Sequence, residues 1–517
     1  MSAWLVTAPI LTPLATAALC MVAWKHPAAQ RALSLAGSFT LMVPAGLLIS
    51  RVTDNGVQVA QMGAWAAPFG ITLVADPLAA MMVLVASIMG FCCALYAMGD
   101  IDPVREGGGF HPAFQVLMTG VCGAFVTGDL FNLYVWFEVM LISSFVLLSL
   151  GGEKRQIDGA VKYVAINLVA TACLLLAVAL LYGVTGTLNM ADLSQRLPHV
   201  ANQGLVSAIA VLFIIAFGMK AALFPFFFWL PAAYHTPAAS VQAIFAGLLT
   251  KVGVYALLRV FTLIFVGDTG WTHSILLWLA GITMILGALG SLAVRDLNRA
   301  WSWQVVAHIG SMTMGLAIGT PLALAATAFY LVHDIVVKTN LFLGAGIVRR
   351  LAGGMADYAS LGGLFKAAPW LCILVFAPLG SLAGFPPLSG FWGKLLLVRA
   401  GLETEHYIMV AALLVTGLLT IWLVGRVWVE MVWKAPAEAP TPLPPTFRTT
   451  ALILPLVLLS LITIGIGVQP ERLLAAAGRV GDSLYDPSAY VEAVLGITPD
   501  QGQPTLVGEL PPQGDAP

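Results

Sequence analysis

Five ionisable side chains stand deep inside long apolar stretches: Glu138, Lys220, Lys251, Lys338 and Lys394. A lysine near the centre of a bilayer costs roughly 2.5–3.5 kcal/mol on insertion scales, so five such groups left unpaired would cost on the order of 10 kcal/mol or more. A subunit that only needed to pack would do better without them. Groups of this kind at membrane depth suit the carriage of protons, because each can be loaded and unloaded by a change in its surroundings. Beside them the sequence shows no Gly-rich phosphate loop, no metal-ligand spacing and no nucleophile arrangement, so bond chemistry is not expected. The chain reads as a transport subunit with no cofactor and no metal, and not as an enzyme.

Each residue also has a plainer reading. Glu138, in Asn132–Ile142, is either a carboxylate hydrogen-bonded inside the bundle or the partner that tunes a lysine, with Lys220 as the candidate. Lys251 follows Pro237 by fourteen residues, about 20 Å along a helix. That depth leaves little room for a lysine that snorkels to an interface. In Tyr330–Lys338, Asp334 and Lys338 are four apart on one helical face, which allows a structural ion pair or, for Asp334 as for Lys338, a place in a relay. His333 beside them titrates near neutrality and suits a relay. His308 could extend that relay or simply pack in the core. Lys394, ending the Gly390–Lys394 run, is a path residue or an interfacial lysine.

Elements long enough to hold these groups are set by composition. Of 517 residues, 59% are hydrophobic and 9% charged, and the mean hydropathy is +0.92. That balance belongs to an all-α membrane protein with many spans. A formal net charge of −1 speaks against a nucleic-acid partner. The six cysteines all fall in apolar segments and read as small core residues. Windows of about 20 apolar residues predict about fourteen transmembrane helices. Basic residues outside the apolar cores divide thirteen to five between alternate loops. That bias places both termini outside, with the Pro-rich 435–445 stretch as a cytoplasmic linker. The tail from 469 onward then becomes an acidic external extension, loose over its last dozen residues.

Two proline breaks stand out. Pro225 interrupts helix 7 beside Lys220, and Pro386 and Pro387 interrupt helix 12 before Lys394. A proline inside a span survives only where protein or water satisfies the freed backbone groups. Matching interruptions in two halves of a transporter mark its binding path, and a five-helix offset inverts the second copy.

At Phe245–Tyr255, His333–Phe342 and Pro386–Lys394 the chain resembles the antiporter-like proteins shared by Mrp-type multisubunit sodium/proton antiporters and respiratory complex I. The similarity covers about residues 70–430 and is most specific on the Mrp side. The resemblance implies fourteen helices with two inverted five-helix repeats, helices 4–8 and 9–13. It divides the chain into 1–112 (helices 1–3), 113–266 and 267–433 (the repeats) and 434–517 (linker, helix 14 and tail). It implies a Glu138–Lys220 pair, a central relay of Lys251, His333 and Lys338, and an end-of-path residue at Lys394. It implies a bacterial cytoplasmic membrane, H⁺ and Na⁺ as the ions, and other membrane subunits as partners in a hetero-oligomeric antiporter complex. Two departures exist. Relatives often carry a histidine where this chain has Phe329. The Pro231–Pro237 loop lacks an acidic residue found in many complex I relatives, which weighs against the alternative of a proton-pumping subunit in a complex I-type or hydrogenase complex. A scaffold with a vestigial path is the third reading.

Overall fold

The computed structural model describes residues 3–435 and 447–496. Most of the predicted linker, and the residues beyond 496, lie outside the described part. Eleven described helices are long and apolar enough to cross a membrane. Spans 1–3 are Ala3–Val22, Pro27–Asn55 and Pro77–Asp100; spans 5–9 are Leu130–Ser149, Lys154–Thr185, Gln203–Ala221, Ala239–Leu263 and Thr269–Ala293. Span 11 is Pro321–Leu351, span 13 Tyr407–Trp433 and span 14 Arg448–Val468. Three further segments complete fourteen: span 4 (Phe110–Val126), span 10 (Leu297–Ile318) and span 12, split into Pro369–Ala383 and Ser389–Glu403.

Exposure sorts the spans into layers. Span 2 buries 33% of its most apolar window and span 6 buries 39%, so the rest of the described chain leaves wide apolar faces of both uncovered. Spans 8 and 11 bury 100% of theirs and form the axis of the bundle. A helix buried on every side inside protein can carry polar groups that a lipid-facing helix could not. Lys251 is on span 8 and Lys338 on span 11, and both side chains are fully buried.

Internal repetition is visible at the level of single hydrogen bonds. Asp129 caps span 5 and bridges Asn189, the cap that follows span 6; Asp296 caps span 10 and bridges Asp357, which follows span 11. The amide of Leu130 donates to Leu188 O at 3.0 Å, and that of Leu297 to Ala356 O at 3.0 Å. Both interrupted spans end on a left-handed residue, Ala222 (φ 65°) and Gly384 (φ 88°). The next amide reaches back to the helix in each case: Leu223 N to Gly218 O at 2.8 Å, and Phe385 N to Gly380 O at 2.9 Å. A cis proline follows in both, at Pro225 and Pro387. Five spans separate each pair of motifs, an odd number, so the second copy runs opposite to the first.

Three features go beyond the sequence reading. Span 7 stops at Ala221, and the chain continues as a short helix, Trp229–Ala233. An antiparallel hairpin, Gln58–Gln61 with Thr72–Ala75, links spans 2 and 3. After span 14, Glu471–Tyr485 and Ser488–Leu495 are helices. Ala477, Val480, Gly481 and Leu484 form the buried face of the first, and a Cβ on Gly481 would stand 2.5 Å from Pro321 O at the start of span 11.

Candidate functional site

Four of the expected groups meet on the bundle axis, three of them around the single carboxylate of the fourth. Lys251 Nζ lies 2.7 Å from Asp334 Oδ2, off the hydrogen-bond direction, and donates instead to Ala246 O at 2.6 Å. That carbonyl belongs to a π turn, Phe245–Leu249, which widens span 8 one turn before the lysine. His308 Nδ1 is 2.6 Å from Asp334 Oδ1. Lys338 Nζ stands 3.9 Å from the same oxygen and has no hydrogen-bond partner among the described residues. The expected Asp334–Lys338 pair therefore exists as the longest of three contacts. Asp334 is the hub joining spans 8, 10 and 11, a larger role than the ion pair visible in the sequence.

One carboxylate facing three groups able to carry positive charge cannot satisfy all of them at once. Attraction in a low-dielectric interior is strong, and an uncompensated buried charge is costly. A proton arriving on one group therefore weakens the hold on the others.

From the hub the line continues to span 12. The Tyr330 ring lies edge-on to both His308 and His333, with centroids 5.4 Å away in each case. His333 Nδ1 contacts Ser389 Oγ at 2.9 Å, and Ser389 Oγ contacts Ser381 Oγ at 2.8 Å. These two hydroxyls face each other across the span 12 interruption. Lys394 Nζ donates to Leu382 O at 2.8 Å and Ala383 O at 3.2 Å, the carbonyls that the interruption frees. Ser381 and Ser389 were missed by the sequence reading. The only sequence signal was their closeness to the proline pair, since serine at membrane depth is common and carries little information by itself.

The other end is arranged differently. Lys220 is buried and donates to Thr171 Oγ1 on span 6 at 2.9 Å, and its ammonium lies 5.1 Å from the Phe137 ring centroid. Glu138, the next residue, makes no ion pair with Lys220 within 4 Å, and its Oε1 is buried without a partner among the described residues. The Glu138–Lys220 pair that the resemblance implies is not a direct contact among the described residues; the hydrogen bond of Lys220 goes to a hydroxyl. The physical reason is rotational: Phe137, not Glu138, presents its side chain to the ammonium.

Arg259, also on span 8, is 4% exposed and makes a bidentate pair with Asp76, with both distances 2.8 Å. Tyr255 and Tyr490 flank it, their ring centroids 5.4 and 5.1 Å from the guanidinium carbon.

Residues 127–420 match the family described as NADH:quinone oxidoreductase/Mrp antiporter, TM. The chain is 43% identical to the D-type Na⁺/H⁺ antiporter subunit of Alkalihalophilus pseudofirmus over 95% of its length and 99% of that protein's. It is 39% identical to the corresponding subunit of Bacillus subtilis, over 94% of this chain and 98% of that one. Its fold matches a chain of the Mrp complex from Dietzia sp. DQ12-45-1b with a TM-score of 0.88 at 30% identity, covering 95% and 99% of the two chains. A chain of an archaeal membrane-bound sulfane sulfur reductase shares the fold, with a TM-score of 0.89 at 24% identity over 95% and 99% of the chains. Since sequence identity and fold both extend over nearly the whole of this chain and of its relatives, the chain belongs to the NADH:quinone oxidoreductase/Mrp antiporter transmembrane family, and within it to the D-type antiporter subunits.

Proposed function

We propose that this chain is an ion-translocating subunit of a multisubunit Na⁺/H⁺ antiporter, carrying protons along Lys220, Lys251, Asp334, His308, Lys338, His333 and Lys394 in exchange for sodium. The observation that carries the reading is the fully buried cluster in which Lys251, His308 and Lys338 share Asp334. A structural cluster would balance its charges; this one keeps a lysine ammonium, Lys338 Nζ, with no hydrogen bond among the described residues. Glu138 acts on Lys220 through a change in their separation. The unpartnered Glu138 Oε1 supports a carboxylate able to move toward the lysine. The name of the 43% identical relative supports sodium and protons as the ions, and the Mrp complex structure supports other membrane subunits as partners. The thirteen-to-five charge bias supports termini on the outer face of a bacterial cytoplasmic membrane. The repeated capping and proline motifs support repeats at 113–266 and 267–433.

Transport in everted vesicles tests the reading. In an assembled complex, Lys220→Ala and Glu138→Ala each lower exchange by about ten-fold or more. Full exchange by both would end the scheme. A redox-driven pump, the second reading, shares the fold with the sulfane sulfur reductase chain. It requires iron–sulfur or flavin subunits to purify with this chain in mild detergent.

A further inference from the structure

The contacts that run from Lys251 to Lys394 do not reach Lys220. Between Lys220 and span 8 lies a cavity of about 20 Å³. Its walls include Lys220, Asn167, Tyr163, Tyr234 and Leu249. Room of about 10–15 Å³ suffices for one water, provided polar partners are present. Two are at hand. Lys220 Nζ spends one of its three donors on Thr171. Tyr234 is fully buried, and its hydroxyl has no hydrogen-bond partner among the described residues. A buried phenol without a partner costs roughly 1–3 kcal/mol, so a phenylalanine at this position would pack better unless the hydroxyl is used.

The surroundings fix where that hydroxyl leads. The Tyr234 ring packs on Phe245, with centroids 5.6 Å apart, and Phe245 opens the π turn whose last residue, Leu249, lines the cavity. The same turn supplies the Ala246 carbonyl that holds Lys251. Thr250, between Leu249 and Lys251, has a fully buried hydroxyl, unpartnered among the described residues. One loosened turn therefore touches the Lys220 cavity on one side and the Lys251 ammonium on the other. By contrast, the Tyr163 hydroxyl is already committed to Ser144 Oγ at 2.7 Å and Asn167 Nδ2 to Tyr163 O at 2.9 Å.

We propose that this cavity holds a single water bridging Lys220 and Tyr234, and that Tyr234 is the relay residue through which Lys220 exchanges protons with span 8. The inference rests on the translocation reading above and adds a residue to it. A proton leaves the Lys220 ammonium for the water. The water passes one to the phenol oxygen, and the phenol's own proton is taken up by the Lys251 amine in its neutral form, beyond the unpartnered Thr250 hydroxyl. Lys220 is left neutral and the tyrosine unchanged.

The test uses the assembled complex in everted vesicles. Tyr234→Phe removes only an oxygen that bonds to no described protein group, so assembly and thermal stability hold or improve, while sodium-dependent proton exchange falls by about ten-fold or more. Tyr234→His returns a proton-exchanging ring nitrogen and restores part of the rate. In the double variant with Lys220→Ala, the tyrosine change adds no further loss. If Tyr234→Phe keeps full exchange while Lys220→Ala abolishes it, this inference falls and the wider reading stands. If Lys220→Ala itself keeps full exchange, the wider reading falls. A histidine variant no better than phenylalanine also overturns the role assigned to Tyr234.

Discussion

The two interrupted helices share a backbone and differ in wiring. Each ends on a left-handed residue, turns through a cis proline and restarts, yet their lysines come from opposite sides of the gap. Lys220 precedes its left-handed residue by two positions, where the second copy has Leu382; Lys394 follows its cis proline by seven, where the first copy has Ala232. In the first gap the freed groups are met by other residues. The Trp229 indole donates to Met219 O at 3.1 Å, and the Phe224 amide donates to Thr283 Oγ1 at 3.0 Å. In the second gap the lysine itself meets the freed carbonyls, and Ser381 takes the Gly390 amide at 3.0 Å. Lys220 thus takes no part in capping its helix, whereas Lys394 does. Repetition of a fold motif does not carry its chemistry with it.

The sharpest way to break this contrast is at the restart of each helix. A Cβ on Gly390 would stand 1.8 Å from Ser381 O and 2.9 Å from His333 Cε1. Gly390→Ala is therefore expected to cost about 3 kcal/mol or more, read as loss of thermal stability and of transport. Its counterpart in the first copy is Phe228, an exposed side chain, and Phe228→Ala leaves both nearly unchanged. A smaller effect is expected at Ser389, whose hydroxyl joins His333 to Ser381. Ser389→Ala costs about 1–3 kcal/mol and slows exchange, because two buried partners lose a contact. The smallest effects differ in sign. Ala222→Gly relieves a left-handed alanine and gains about 1 kcal/mol, while Gly384→Ala loses a similar amount. Melting temperatures of the purified complex distinguish these cases, and equal signs at the two sites would show that the turns are not equivalent.

The lysines were legible in the sequence because the bilayer makes each of them expensive, and the prolines because each breaks a hydrogen-bond ladder. The hub was not. From sequence, Asp334 has a visible neighbour four residues on, but its nearer partners lie 83 residues upstream at Lys251 and 26 upstream at His308. Only the packing of three spans brings them together. The π turn left no mark either, since Phe245–Leu249 has the composition of any apolar helix. Glu138 was found by its cost, yet its cost could not say which way it pointed. The tail helices were hidden for another reason. Their polarity reads as a solvated extension, and only the small residues Ala477 and Gly481 hinted at a close fit.

Tyr490 closes over the Asp76–Arg259 pair, which ties span 8 to the start of span 3. The ribosome makes Tyr490 some 231 residues after Arg259. The arginine and the aspartate are therefore both made long before the residue that covers them, which follows all fourteen spans in the chain. The last described helix thus completes the seal over a pair that joins distant parts of the chain.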